Sequence, residues 1–193
     1  MIRTIGLVGV ITALVAPVSN LVIQPESRVW VEGKSTVRDF NCAATEIIGA
    51  IESGPAASLS IDNLQSAVSS LALTIPVAKM DCGNGTMDGH MRKALKAEQH
   101  ENIEFSLSSY TASPAVAGVS TLELAGTLRI AGADQPVTIV AEATQESDGT
   151  LRVQGNTAIR MTEWGVKPPS LMLGTMKVKD EVVVKFDIRL RQQ

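Results

Sequence analysis

Residues 181–191 alternate almost without a break: Val182, Val184, Phe186, Ile188 and Leu190 are apolar, and Lys185, Asp187, Arg189 and Arg191 stand between them. A period of two sends successive side chains to opposite faces of an extended strand, so the segment belongs in a sheet with one dry face and one wet face. The pattern recurs. In 120–130, Leu122, Leu124, Leu128 and Ile130 oppose Thr121, Glu123, Thr127 and Arg129. In 150–161, Leu151, Val153, Ile159 and Met161 oppose Arg152, Gln154, Asn156 and Arg160. Segment 136–145 sets Val137, Ile139 and Ala141 against Thr138 and Glu142, and 102–110 sets Ile103, Phe105 and Leu107 against Glu104, Ser106 and Ser108. Extended runs at 28–40 (with a bulge or bend at Gly33), 43–53 and 68–77 bring the expected total to about eight strands.

Turn chemistry separates these runs. Ser53-Gly54-Pro55, Ser113-Pro114, Gly132-Ala133-Asp134 and Ser147-Asp148-Gly149 all fall where a hairpin must reverse, and Asp148-Gly149 is the strongest of them. One segment departs from the period. From Thr86 to Ala97 the apolar residues are Met87, Met91, Ala94 and Leu95, which share one face of a helix. Thr86 is the expected N-cap, Asp88 suits the positive end of the dipole, and Lys93 and Lys96 suit the negative end. A single short helix among eight antiparallel strands is expected to cap one end. Such a sheet closes economically as a sandwich or as a barrel, and only the barrel removes its edges. Eight strands enclose room for one small ligand when small side chains point inward. Gly126 falls in the row of Leu124 and Leu128, and Gly155 and Thr157 fall between Val153 and Ile159. These glycines either leave space inside or relieve strain at barrel corners.

The N-terminus carries a different signal. Met1-Ile2-Arg3-Thr4 has one positive charge and precedes an apolar run from Ile5 to Val18 that ends in Ser19-Asn20. A charged start before a short apolar core reads as a secretory signal over residues 1–20, or as an N-terminal anchor, with the folded domain at 21–193. In an exported chain the two cysteines, Cys42 and Cys82, are most simply read as a disulfide, and two separate buried thiols are the alternative.

Several function classes are disfavoured. The net charge is −3, no basic run stands out, and aromatics make up 3% of the chain, so neither nucleic acid nor an anionic surface is an expected partner. His90 and His100 are ten residues apart, too far along one helix to share a metal, and two cysteines forty apart are not a ligand pattern, so no metal is expected. There is no Gly-x-Ser-x-Gly elbow. The carboxylates are spread along outward strand positions, so no acid/base pair stands out. Asn84-Gly85-Thr86 matches a glycosylation sequon, a weak signal on its own. The residues therefore point to a container for an apolar ligand and not to an enzyme.

Four stretches carry a family resemblance. Ser27 to Phe40 (SRVWVEGKSTVRDF) resembles the opening strand of the YceI-like family. His90 to Ala97, followed by Ile103-Glu104-Phe105, resembles its helix and next strand. Leu124 to Gly132 with Gln135-Pro136-Val137 resembles its G-x-L-x-I-x-G hairpin, and Met161 to Val166 with Asp180 to Leu190 resembles its C-terminal end. The match covers roughly residues 27–190. This chain departs from the family at Gly33-Lys34-Ser35-Thr36 and at Arg160 to Gly165, and in its paired cysteines. The resemblance implies an all-β, lipocalin-like antiparallel barrel in a periplasmic or secreted protein, with an apolar tunnel for an isoprenoid chain such as a quinone tail or polyprenyl lipid. On that reading Leu122, Leu124, Leu128, Ile139, Val153, Ile159, Val184 and Phe186 line the tunnel. Met87, Met91 and Leu95 form the lid, and no cofactor beyond the bound lipid is expected. A homodimer is left open, and the alternative role is a structural or stress-related envelope barrel without a specific ligand.

Overall fold

The computed structural model describes residues 21–56, 58–171 and 176–193. The expected signal segment lies outside the described residues. The strands are β1 (Leu21–Ile23), β2 (Arg28–Ser35), β3 (Asp39–Ala44), β4 (Ile48–Ser53), β5 (Val68–Pro76), β6 (Met80–Asp81), β7 (Asn102–Ala112), β8 (Val119–Ile130), β9 (Ala133–Gln145), β10 (Leu151–Arg160), β11 (Ser170–Leu171) and β12 (Met176–Gln192). The helix α1 spans Gly85–Ala94, and short 3-10 turns cover Ile61–Ser66, Val77–Lys79 and Met161–Trp164.

Every strand pairing is antiparallel, and the ladder runs β4-β5-β7-β8-β9-β10-β12-β2-β3-β6. Its two ends meet, because β3 continues into β4 and β5 continues into β6. Ala43 faces Asp81 and Ala44 faces Met80, Thr45 donates from both its amide and its hydroxyl to the Lys79 carbonyl at 2.8 Å, and Ile48 then faces Thr74. Two bent strands thus pair along their length and close the sheet into a barrel of eight strands. Closure gives each of the eight wall strands a neighbour on both sides, an arrangement that limits edge-to-edge association.

The disulfide extends this seam. Cys42 and Cys82 stand one rung beyond the Ala43–Asp81 pair, and they are bonded. On the chain-entropy argument a link across 40 positions stabilises by about 4 kcal/mol.

The structure corrects three local expectations. Residues 28–40 are not one strand: the Ser35 hydroxyl accepts from the amides of Val37 and Arg38 and donates to the Arg38 carbonyl, folding the chain back between β2 and β3. Segment 43–53 breaks between β3 and β4. The helix is capped by Asn84, whose side chain accepts from the amides of Thr86 and Met87, so Thr86 lies inside the first turn; Leu95 is the C-cap. Between β8 and β9 the reversal uses Ala131 and Gly132, both at positive φ, as a two-residue hairpin requires.

The inner face carries two groups of apolar side chains. Leu21, Ile51, Leu64, Leu122, Leu151 and Leu190 belong to the first, at the base, and Ile130, Ile159, Trp164, Val166 and Val182 to the second, at the mouth under α1. The Trp164 indole donates to the Leu128 carbonyl at 2.8 Å, so the buried ring has its polar atom satisfied.

On the outer face the charged residues form cross-strand pairs. The most enclosed is Arg152–Asp187, a two-pronged contact at 2.9 and 2.6 Å across β10 and β12. The Arg152 hydrogen bonds hold the Asp187 carboxyl below its ordinary value of 3.8. A carboxylate depressed on folding contributes stability that is full above its unfolded value and lost as pH falls through its folded one. Asp187→Asn is therefore expected to cost about 1 kcal/mol at neutral pH. That difference from the wild type should shrink below about pH 4. Denaturant titrations at a series of pH values measure both.

Candidate functional site

The space between the two apolar groups is open. A cavity of about 450 Å³ runs inside the barrel, and nearly all of its wall is aliphatic or aromatic. The wall follows directly from the alternating rows: each long strand sends every second side chain inward, and those positions were apolar in the sequence.

All eight side chains expected in the tunnel line this cavity: Leu122, Leu124 and Leu128 on β8, Ile139 on β9, Val153 and Ile159 on β10, and Val184 and Phe186 on β12. Met87, Met91 and Leu95 of the lid line it as well, as do Cys42 and Cys82. None of the residues of α1 is fully buried, so the lid lies over the cavity without being packed into it.

The glycines in the inward rows do not leave empty space. A Cβ on Gly33 would lie 2.2 Å from the ring of Phe40, one on Gly126 would lie 2.7 Å from the ring of Phe105, and one on Gly155 would lie 2.6 Å from the ring of Phe186. These are the only three phenylalanines of the chain. Each ring lies against a glycine of the neighbouring strand, in space that a Cβ there would occupy.

Sequence reasoning named the helix at one end of the cavity but missed the base and the polar rim of the mouth. The base is filled by the 3-10 turn Ile61–Ser66, which carries Leu64 into the barrel, only 5% exposed. This turn begins with a capping box, in which the Ser60 and Asn63 side chains satisfy each other's backbone amides. The pair Ser60/Asn63 was legible, but a single turn has no period to detect. Tyr110, the sole tyrosine, donates to the Leu64 carbonyl at 2.7 Å and accepts from the Val68 amide at 3.1 Å. It lines the cavity because β7 carries a bulge: the register slips by one residue between Leu107 and Ser109, which exchanges the inward and outward positions beyond it. Strict alternation from Ile103 would have put Ser109 inside.

The mouth opens between the β2–β3 turn and α1. Here the polar side chains Ser35, Arg38, Asn84, Thr86 and His90 reach the cavity surface, next to Phe40, Met87 and Pro169. His90 belongs to the inner side of the lid, and the ring of His100 rests against Gly132, so the two histidines serve different places. Among the described residues no three His, Cys, Asp or Glu side chains gather as a metal site.

A closed antiparallel barrel with a helix at one end, a filled base and an apolar interior defines a β-barrel of the lipocalin type. The chain belongs to the YceI-like family: the model of the YceI-like domain matches residues 25–190. Solved structures share the fold at low identity. BcnA of Burkholderia cenocepacia is 21% identical, with a TM-score of 0.66 over 85% of this chain and 96% of that one. A polyisoprenoid-binding domain from Saccharophagus degradans, implicated in plant cell wall breakdown, is 12% identical, with a TM-score of 0.67 over 91% and 98%. The YceI protein of Campylobacter jejuni is 18% identical, with a TM-score of 0.59 over 79% and 84%. No curated protein sequence matches the chain significantly.

The seating of Phe186 on Gly155 is directly testable. Gly155→Ala should push the ring into the cavity and destabilise the fold by about 1–3 kcal/mol. Pairing it with Phe186→Leu should cost less than the two single changes added together, as read from thermal denaturation of all four proteins. Additive costs would exclude the ring as the reason for the glycine.

Proposed function

We propose that this chain is an exported carrier that holds one long apolar chain, an isoprenoid such as a quinone tail or polyprenyl lipid, and performs no chemistry on it. The observation that carries this reading is the size of the cavity and the apolarity of its wall. At about 450 Å³ it equals some fifteen waters at roughly 30 Å³ each, yet its wall offers water almost no hydrogen-bond partners. Left vacant, such a void costs on the order of 10 kcal/mol at about 24 cal/mol per Å³. That is comparable with the whole stability of an ordinary domain. An apolar occupant restores the lost contacts. The blind base favours a slender chain entering tail first, and the polar rim at Ser35, Arg38 and His90 suits a ligand whose head remains near water. The polyisoprenoid-binding relative supports an isoprenoid as the particular chain. Export is supported by the signal-like residues 1–20 and by the disulfide, which persists in an oxidising compartment.

Extraction of the purified chain into organic solvent, followed by mass spectrometry, should release a long-chain isoprenoid in near-equimolar amount. A lipid-free protein, or an unselective mixture in trace amounts, would refute the proposal in favour of a barrel with no specific ligand. Leu124→Trp and Val184→Trp fill the middle of the cavity. Each should abolish uptake at a stability cost of about 1–3 kcal/mol, checked by the same extraction beside a thermal melt.

A further inference from the structure

At the base of the cavity, among wall side chains such as Ile51, Leu122 and Leu151, one lining residue comes from outside the strands. Leu64 reaches into the base from the turn Ile61–Ser66, and that turn is tied to the wall from several sides. Besides the two contacts of Tyr110, the Gln145 side chain on β9 accepts from the Ile61 amide at 2.9 Å, the Gln192 side chain on β12 accepts from the Leu59 amide at 3.0 Å, and the Gln65 side chain accepts from the Ala112 amide at 2.7 Å. These bonds reach strands β7, β9 and β12. The mouth is a lid of half-buried side chains; the base is backbone held by hydrogen bonds, which costs the unmet polarity of each group to open.

We infer that Leu64 is the specificity-determining residue at the floor of the tunnel, setting the longest apolar chain the barrel accepts, with Tyr110 as the positioning residue that keeps it there. A chain entering from the mouth gains affinity for each methylene it buries until its end meets Leu64. Beyond that point further carbons must stay at the rim in water, and the gain stops. The floor therefore works as a ruler. This inference rests on the reading of the cavity as a container for an apolar chain.

The test uses the disulfide-intact protein and a homologous series of straight-chain primary alcohols, each displacing an environment-sensitive fluorescent dye from the cavity. In the wild type, affinity should rise about fourfold per methylene and then level off at one length. Leu64→Ala removes three carbons from the floor and should move the break to chains longer by roughly three methylenes. Leu64→Phe should move it to shorter chains, and either variant suffices if the other fails to fold. A break at the same length in wild type and variants would overturn the ruler while leaving the container reading intact. No affinity for any alcohol in the folded wild type would overturn both.

Discussion

The interior can stay open because the wall is closed. A void deprives its lining side chains of dispersion partners, and a sheet with a free edge would collapse to recover them. Here each of the eight wall strands is flanked on both sides, and the seam between the β3–β4 and β5–β6 strands is fastened by backbone bonds and by the Cys42–Cys82 disulfide. The stability of the shell therefore lies in a ladder of backbone hydrogen bonds and in its two ends, where apolar side chains pack. The middle is left as space. That division explains why the most buried large side chains cluster at base and mouth, and why residues such as Leu124, Val184 and Phe186 between them are only half buried.

Much of this was legible in the sequence because strand periodicity is a local property with a global consequence. In β8, β9, β10 and β12 the apolar rows name the inward face at once, and the eight residues that the family resemblance picked from them stand on the cavity wall, as do the three picked from the helix. What escaped depends on contacts distant in the chain. Nothing near Gly126 or Gly155 says that a phenylalanine ring will lie over it, so open space and relief of strain remained equal readings. The bulge that turns Tyr110 inward costs one residue of register, which no composition marks. Residues 58–67 carry no period at all, and their role in filling the base appears only when Gln65, Gln145, Gln192 and Tyr110 are brought around them.

The helix shows the opposite balance. Its apolar stripe faces the cavity, while its N-cap is Asn84, two residues before the expected Thr86. Asn84 and Thr86 are both good capping residues, and the choice falls to Asn84 because the disulfide and the β3–β6 pairing bring the chain out of the seam just before it. The disulfide at the seam and the N-cap of the helix are thus two residues apart in the chain.

The pairing of β12 has a consequence for how the molecule is made. β1, near the N-terminus, and the edge of β2 away from β3 both pair with β12: Leu21 faces Gln192, and Arg28 faces Asp187. These pairings join residues more than 150 positions apart, and contacts of such long range form slowly. Until β12 arrives the growing sheet is an open trough, with its future interior exposed along its whole length. The pairing of the two ends of the chain on β12 is thus what turns a surface into an inside.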